Sequence, residues 1–508
     1  MQIKCLLTLG LAAALSAANA RADNTHWIGA AGGDWNTPGN WDNGVPSAAV
    51  DAVFTNQAPL VTSSQTAIAA GRIVLMNTGK SAFDFGAATV LSAPLGMLVG
   101  TNGTANLTLA SGAIDLGASS LRIGCNASNS NSLDVLSGAR IDCGALDVGV
   151  SVGNVGFPSY NALTVRDGGA VVVSGATRVS MREGNTDGGT MSENKIHVKS
   201  GGLLVSSGIG IDTSRGNLSN CSILIDGGVV TNNGALTLGY IRSTGSRFVV
   251  GGNGYFRNNG HIGLSLGSGP NYITVADGGM FDVNGNFDVA TPGASRDFPG
   301  TWGDSAAPNN VVTVSNAFLS ISGYLEVGYK DKGRNNTLIL HEDAGETARI
   351  DIAGPLRLGM ISGSNKLLVN GGMLSASAIL TAIDINSFNH STSNQVRIAG
   401  ASAKVRAGSM NLRNKAALAF AIPSEGFAET PLVLTGDAAM SADSSLEIDA
   451  GGFVGTAALL TSATGSLNLV PPENISVAIK PGNLCKLTVE SNKISIRTWI
   501  EGTLFIIK

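Results

Sequence analysis

Apolar and polar residues alternate in short runs along most of this chain. Leu163 and Val165, Ile196 and Val198, and Ile273 and Val275 each flank one intervening residue, and Phe281-Asp282-Val283 keeps the same period. A period of two sends alternate side chains to opposite faces of an extended strand, so these runs predict short strands with one face buried. Glycine or asparagine follows most of them, and both tolerate the positive φ of a tight corner.

The runs come in repeating units. NALTVRDGGAVVVSGATRV (161–179) recurs as NKIHVKSGGLLVSSGIGI (194–211), NYITVADGGMFDVNGNFDV (271–289) and NKLLVNGGMLSASAIL (365–380), with looser copies from Asn131, Asn310, Asn336 and Asn394. Each unit holds three strands separated by corners. The first inward residues are Leu107, Leu133, Leu163, Ile196, Ile223, Phe248, Ile273, Val312, Leu338, Leu367 and Val396, and ten intervals over 289 residues average about 29. A four-stranded propeller blade needs roughly 40–45 residues, so one coil per unit fits better. The predicted fold class is all-β, a right-handed parallel β-helix over 91–415. A Trp-rich N-terminal cap with the first strands at 23–90 and a C-terminal β capping segment at 416–508 are expected to protect its ends from aggregation. Strands roughly 4.8 Å apart make eleven coils a rod of about 50 Å. The asparagine opening the units, at Asn106, Asn131, Asn161, Asn194, Asn271, Asn310, Asn336, Asn365 and Asn394, is expected to stack as an amide column.

Composition supports this picture and removes others. The chain has 508 residues, 68 Gly, 43% hydrophobic, 13% charged and only 5% aromatic residues, which fits a narrow aliphatic interior and excludes both disorder and collagen. With 32 basic and 36 acidic residues the net charge is −4, which argues against a nucleic-acid or anionic-membrane partner. Lys4, the apolar stretch 5–18 and a small-residue site at Ala18-Asn19-Ala20 or Ala20-Arg21-Ala22 read as a signal peptide over 1–22. The chain is therefore expected to be exported, with no later stretch apolar and long enough for a transmembrane segment. Cys125, Cys143, Cys221 and Cys485 remain, without a C-x-x-C pair or zinc spacing. Export would permit a Cys125–Cys143 bridge; the apolar alternation around Cys143 and Cys485 favours free buried thiols.

Trp27, Trp35 and Trp41 fall within fifteen positions in an otherwise aromatic-poor chain. They read as a hydrophobic plug over the first coil, with a sugar-stacking platform as the alternative. Trp27-x7-Trp35-Asn36-x4-Trp41, followed by Gly44-Val45-Pro46 and Asp51-x-Val53-Phe54, resembles the opening of bacterial autotransporter-associated β-strand repeat proteins, and the N-x-L-x-V…GG…L-x-V-G unit is similar to their repeats. The resemblance implies an autotransporter passenger-like β-helical protein, secreted, outer membrane-associated or periplasmic in a Gram-negative-type bacterium and often without enzymatic role. Residues 416–508 depart from that pattern, because they lack the amphipathic strands and aromatic girdles of a membrane barrel.

Catalytic motifs are weak. Gly263-Leu264-Ser265-Leu266-Gly267 matches G-x-S-x-G in a strand context where a nucleophile elbow needs strand, turn and helix. Gly251-Gly252-Asn253-Gly254 has Phe256 where a calcium-binding repeat would place Asp. His341-Glu342-Asp343 reads as a solvated corner, and His26, His197, His261, His341 and His390 show no metal spacing. No catalytic, cofactor or metal residue is assigned. Outward acids such as Asp282 and Asp288 read as single residues that do not recur in phase. One interval, Ile273 to Val312, is 39 residues where the others run from 25 to 33, so a loop at 291–308 leaves the coil. It gathers Arg296, Asp297, Phe298, Trp302 and Asp304, a candidate ligand-binding surface for glycans or surface proteins. The expected function is an exported structural or adhesive protein without catalysis, the alternatives being a polysaccharide lyase or glycoside hydrolase on a β-helix, or a carbohydrate-binding module.

Overall fold

The computed structural model describes residues 23–501 except 77, 126–127, 153–155, 184–188, 212–216, 240–242, 265–268, 291–307, 329–333, 344–346, 361 and 382–392. Parallel strands stack as a β-solenoid of about 15 turns. Each central coil has three faces. The first face carries strands such as Ser132–Val135, Ala162–Val165 and Lys195–Lys199; the second, Arg140–Cys143, Ala170–Val173 and Leu203–Ser206; the third, Ala145–Val152, Ala176–Glu183 and Gly208–Ile211.

The eleven inward anchors lie in one register line on the first face. Leu107 pairs with Leu133, Leu163 with Ile196, Phe248 with Ile273 and Val312 with Leu338, and the line continues through Val396 to Leu418, Leu446 and Ile475. All eleven are buried. Parallel pairing is wider than 91–415. It begins where Asp23–His26 meets Val50–Phe54 and ends where Ser445–Gly451 meets Ile475–Ile479. The hairpin of Asn483–Val489 and Lys493–Ile500 pairs antiparallel with Gly455–Ser462 and closes that end of the second face.

The amide column forms, one residue out of place at its start. Asn161 donates from its backbone N–H and from Nδ2 to Asn194 Oδ1 at 3.0 and 2.9 Å, and Asn310, Asn336 and Asn365 repeat the pattern toward Asn394. Asn106 is outside it. Ala105 holds the column position, its N–H donating to Asn131 Oδ1 at 2.7 Å, whereas Asn106 is in register with Ser132 and accepts from its hydroxyl. Cys221 and Ser246 interrupt the column between Asn194 and Asn271, and Ala416 and Ser444 take the position after Asn394.

The column explains a glycine in the third-face strands. A Cβ on Gly124 would lie 2.2 Å from Asn161 Cγ, and one on Gly149, 2.3 Å from Asn194 Nδ2. The next coil's amide occupies the space a side chain would need. The residue just before the column is left-handed in many coils, and not only at glycine or asparagine: Ser130, Tyr160, Glu193 and Ser364 have φ of 59, 61, 58 and 59°. Each costs an L-residue about 1–2 kcal/mol. The buried amide bonds on either side offset that strain.

Trp27, Trp35 and Trp41 are buried with Phe54, Phe83 and Phe85, their rings meeting edge to face at 5.0 Å for both Trp27–Trp41 and Trp35–Trp41. Trp41 Nε1 donates to the Trp35 carbonyl at 2.7 Å. This is the plug; the sugar-stacking platform is excluded because neither face of these indoles reaches solvent. None of the four described cysteines is in a disulfide, so the Cys125–Cys143 bridge is absent. Burial pushes the Cys143 thiol up to about 12, which keeps it an unreactive packing residue. Cys485 is only half-buried, on the terminal hairpin.

Candidate functional site

The loop residues Arg296, Asp297, Phe298, Trp302 and Asp304 lie outside the described residues, as do the segment 1–22 and Ser265 of the G-x-S-x-G pentapeptide. Leu264 is an inward core residue, and Phe256 packs 4.6 Å from Phe248 in a second aromatic cluster with Phe281. His341 Nε2 meets Asp343 Oδ1 at 3.0 Å on an exposed corner. Among the described residues no group of three His, Cys, Asp or Glu side chains could hold a metal ion.

Two arrangements remain. The first is an open groove of about 600 Å³ where first-face strands turn into the second face, lined by Asp134, Thr164, Arg166, Lys199 and Asp226. Strand alternation puts them there: Thr164 and Arg166, His197 and Lys199, and Leu224 and Asp226 are the outward pairs of three successive coils. Arg166 pairs with Asp167, and His197 lies 3.9 Å from Asp226. Desolvation, with Lys199 next, lowers the His197 pKa, which favours its neutral form. The groove offers donors and acceptors of both signs in solvent, a surface that hydrogen-bonds hydroxyl-rich ligands.

The second corrects the reading of solitary acids. Asp288 and Glu326 are in register on adjacent third-face strands, and Arg357 is in register next to Glu326. Asp288 is 7% and Glu326 2% exposed, so these outward positions are covered. Arg357 Nη1 approaches Glu326 Oε2 at 3.7 Å, His261 Nε2 approaches Asp288 Oδ2 at 3.4 Å, and the Arg357 guanidinium sits 4.5 Å above the Tyr324 ring. Tyr324 also hydrogen-bonds Asp288. Asp288 Oδ1 and Glu326 Oε1 have no partner. Desolvation, then the neighbouring Asp288, raises Glu326 to about 8, against the pull of Arg357. Desolvation raises Asp288 as well. The pair therefore holds at least one proton at neutral pH.

A related ion triad, Arg122–Asp147–Arg178, occupies the same outward row nearer the N-terminus, with Arg178 Nε on the fully buried Asp147 at 2.7 Å. Spacing did not disclose either arrangement, because coil lengths vary and register across coils is invisible until the coils are stacked. No protein family, curated protein or solved structure matches this chain.

Proposed function

We propose that this chain is an exported structural or adhesive protein of the cell surface, a rigid spacer whose side faces meet glycans or other surface proteins. One observation carries the reading: the buried hydrogen-bonding groups of the amide column join coil to coil, between an indole plug and a terminal hairpin. The segment 1–22, with its charged start, apolar middle and small-residue end, supports export. The test is a secretion assay with residues 1–22 present or deleted, followed by binding of the purified protein to glycan arrays and intact cells. Retention of the full-length chain in the cytoplasm, or no binding to any surface, would sink the proposal.

A second reading, a glycoside hydrolase, is favoured only by Asp288 and Glu326. Asp288 and Glu326 are in register on parallel strands about 4.8 Å apart, and a retaining glycosidase needs two carboxyls roughly 5–5.5 Å apart. Burial of Glu326 opposes it, since a catalytic acid must reach the glycosidic oxygen.

A further inference from the structure

The second face carries an outward apolar ladder that the core does not use. Ala170, Leu203, Val229, Tyr255, Met280 and Phe318 occupy one outward row on consecutive coils, each in register with the next. Val172 and Val205 lie beside its start in a second row. Val229 is 39% and Met280 44% exposed, while Leu203, Tyr255 and Phe318 are half-buried. The ladder ends in charge at both sides. One coil before it Arg140 pairs with Asp142 at 2.7 Å, and one coil after it Arg349 pairs with Asp351 at 2.6 Å, with the Arg349 guanidinium 5.9 Å from the Phe318 ring. In each ion pair the arginine stands in the first row and the aspartate in the second.

An apolar row with charge at its ends, beside a second row that carries Arg257 and Asp282 in register, suits a protein interface. We propose that this face binds a second copy of the same chain, side by side and parallel, about a twofold axis running along the rod. That operation sets each first-row residue against the second-row residue of the other copy at the same level. Arg140 then faces Asp142 of the second copy, Arg349 faces Asp351, Leu203 faces Val205, Tyr255 faces Arg257 and Met280 faces Asp282, so both ends attract, and the two charges near the centre, Arg257 and Asp282, stand in register with each other as opposites. An antiparallel arrangement would set Arg140 against Arg349 and Asp142 against Asp351, which charge repulsion disfavours. Lys404 and Arg406, beyond the patch, are both engaged by Glu429.

The size of the patch sets the strength. Eight coils at about 4.8 Å span about 34 Å, and four-residue strands are about 13 Å wide, giving a footprint on the order of 450 Å² a side. A standard interface takes about 800 Å² a side, so the dimer is weak and forms where chains are concentrated. Sedimentation equilibrium over roughly 10–500 μM tests it. Wild type is expected to dimerise, and the Val229→Glu, Met280→Glu double variant to weaken association at least about 100-fold with an unchanged melting temperature, because both side chains face solvent in the monomer. A spin label on Ser92→Cys in a Cys485→Ser background reads orientation. The parallel dimer brings the two labels to the same end of the face, whereas an antiparallel one holds them about 50 Å apart. A monomer throughout the range, a dimer indifferent to the double variant, or the long label distance would each overturn the proposal.

Discussion

Glu326→Gln isolates the buried carboxyl pair. Glutamine keeps the shape of the protonated glutamate and can donate to Asp288 while accepting from Arg357. Glu326 is raised from 4.5 to about 8 by desolvation and by Asp288. The sign follows from which state ionises first. Below about pH 4.5 both folded and unfolded chains hold the proton, and the group contributes no penalty. As pH rises to about 8 the unfolded chain releases it and the folded chain does not, so stability falls through that window and stays low above it. At 1.36 kcal/mol per unit the full penalty is at most about 5 kcal/mol, and relaxation around Arg357 brings it to about 2–5. The assay is urea unfolding of wild type and variant at pH 4, 7 and 9. The two should coincide at pH 4, and the variant should be more stable by about 2–5 kcal/mol at pH 9. If Glu326 were instead an ionised partner of Arg357 at neutral pH, the variant would lose about 3–5 kcal/mol there, a loss incompatible with a protonated pair.

Leu163→Asp places an unpaired charge in the first-face core and is expected to cost several kcal/mol and unfold neighbouring coils, while Thr164→Asp, which points outward, stays near wild type; equal thermal midpoints would contradict the inward assignment. Gly124→Ala, whose methyl would meet the Asn161 amide at 2.2 Å, should destabilise by more than about 3 kcal/mol in denaturant titration, against about 1–2 for Gly138→Ala, where φ is +76° and the space is open. Asn336→Ala leaves the buried Asn310 N–H without its acceptor and should cost about 2–4 kcal/mol, with hydrogen exchange quickened at Asn310 before the distant coils respond. Trp35→Ala empties the centre of the indole plug and should cost about 3–5 kcal/mol, read as early loss of protection in residues 50–99 while the central coils remain protected.

What was legible in the sequence is what repeats locally. Alternation at Leu163-Val165 and Ile273-Val275 assigned inward faces correctly because a two-residue period is a property of one strand. The amide column was legible because Asn161, Asn194 and their equivalents open otherwise similar units. Asn106 was misplaced by one residue, since Ala105 serves the column there and only stacking reveals the register. The end of the anchor at Ala416 hid further parallel coils, because Ala416 and Ser444 fill the column position without an amide. The Asp288–Glu326 contact spans two coils separated by 291–307, and no fixed spacing could have announced it. Left-handed backbone at Tyr160 and Glu193 likewise contradicts residue preference, and the neighbouring amide ladder is what holds it.

Whether the rod contacts its targets without chemistry is decided by a depolymerisation assay. The purified chain is incubated with acidic and neutral polysaccharides, with and without calcium, while chain length and new reducing or unsaturated ends are followed. Retention of the polysaccharide or no interaction is expected, with no shortening. Depolymerisation by wild type that disappears in Glu326→Gln, with the fold intact, would contradict it and assign the buried pair to catalysis.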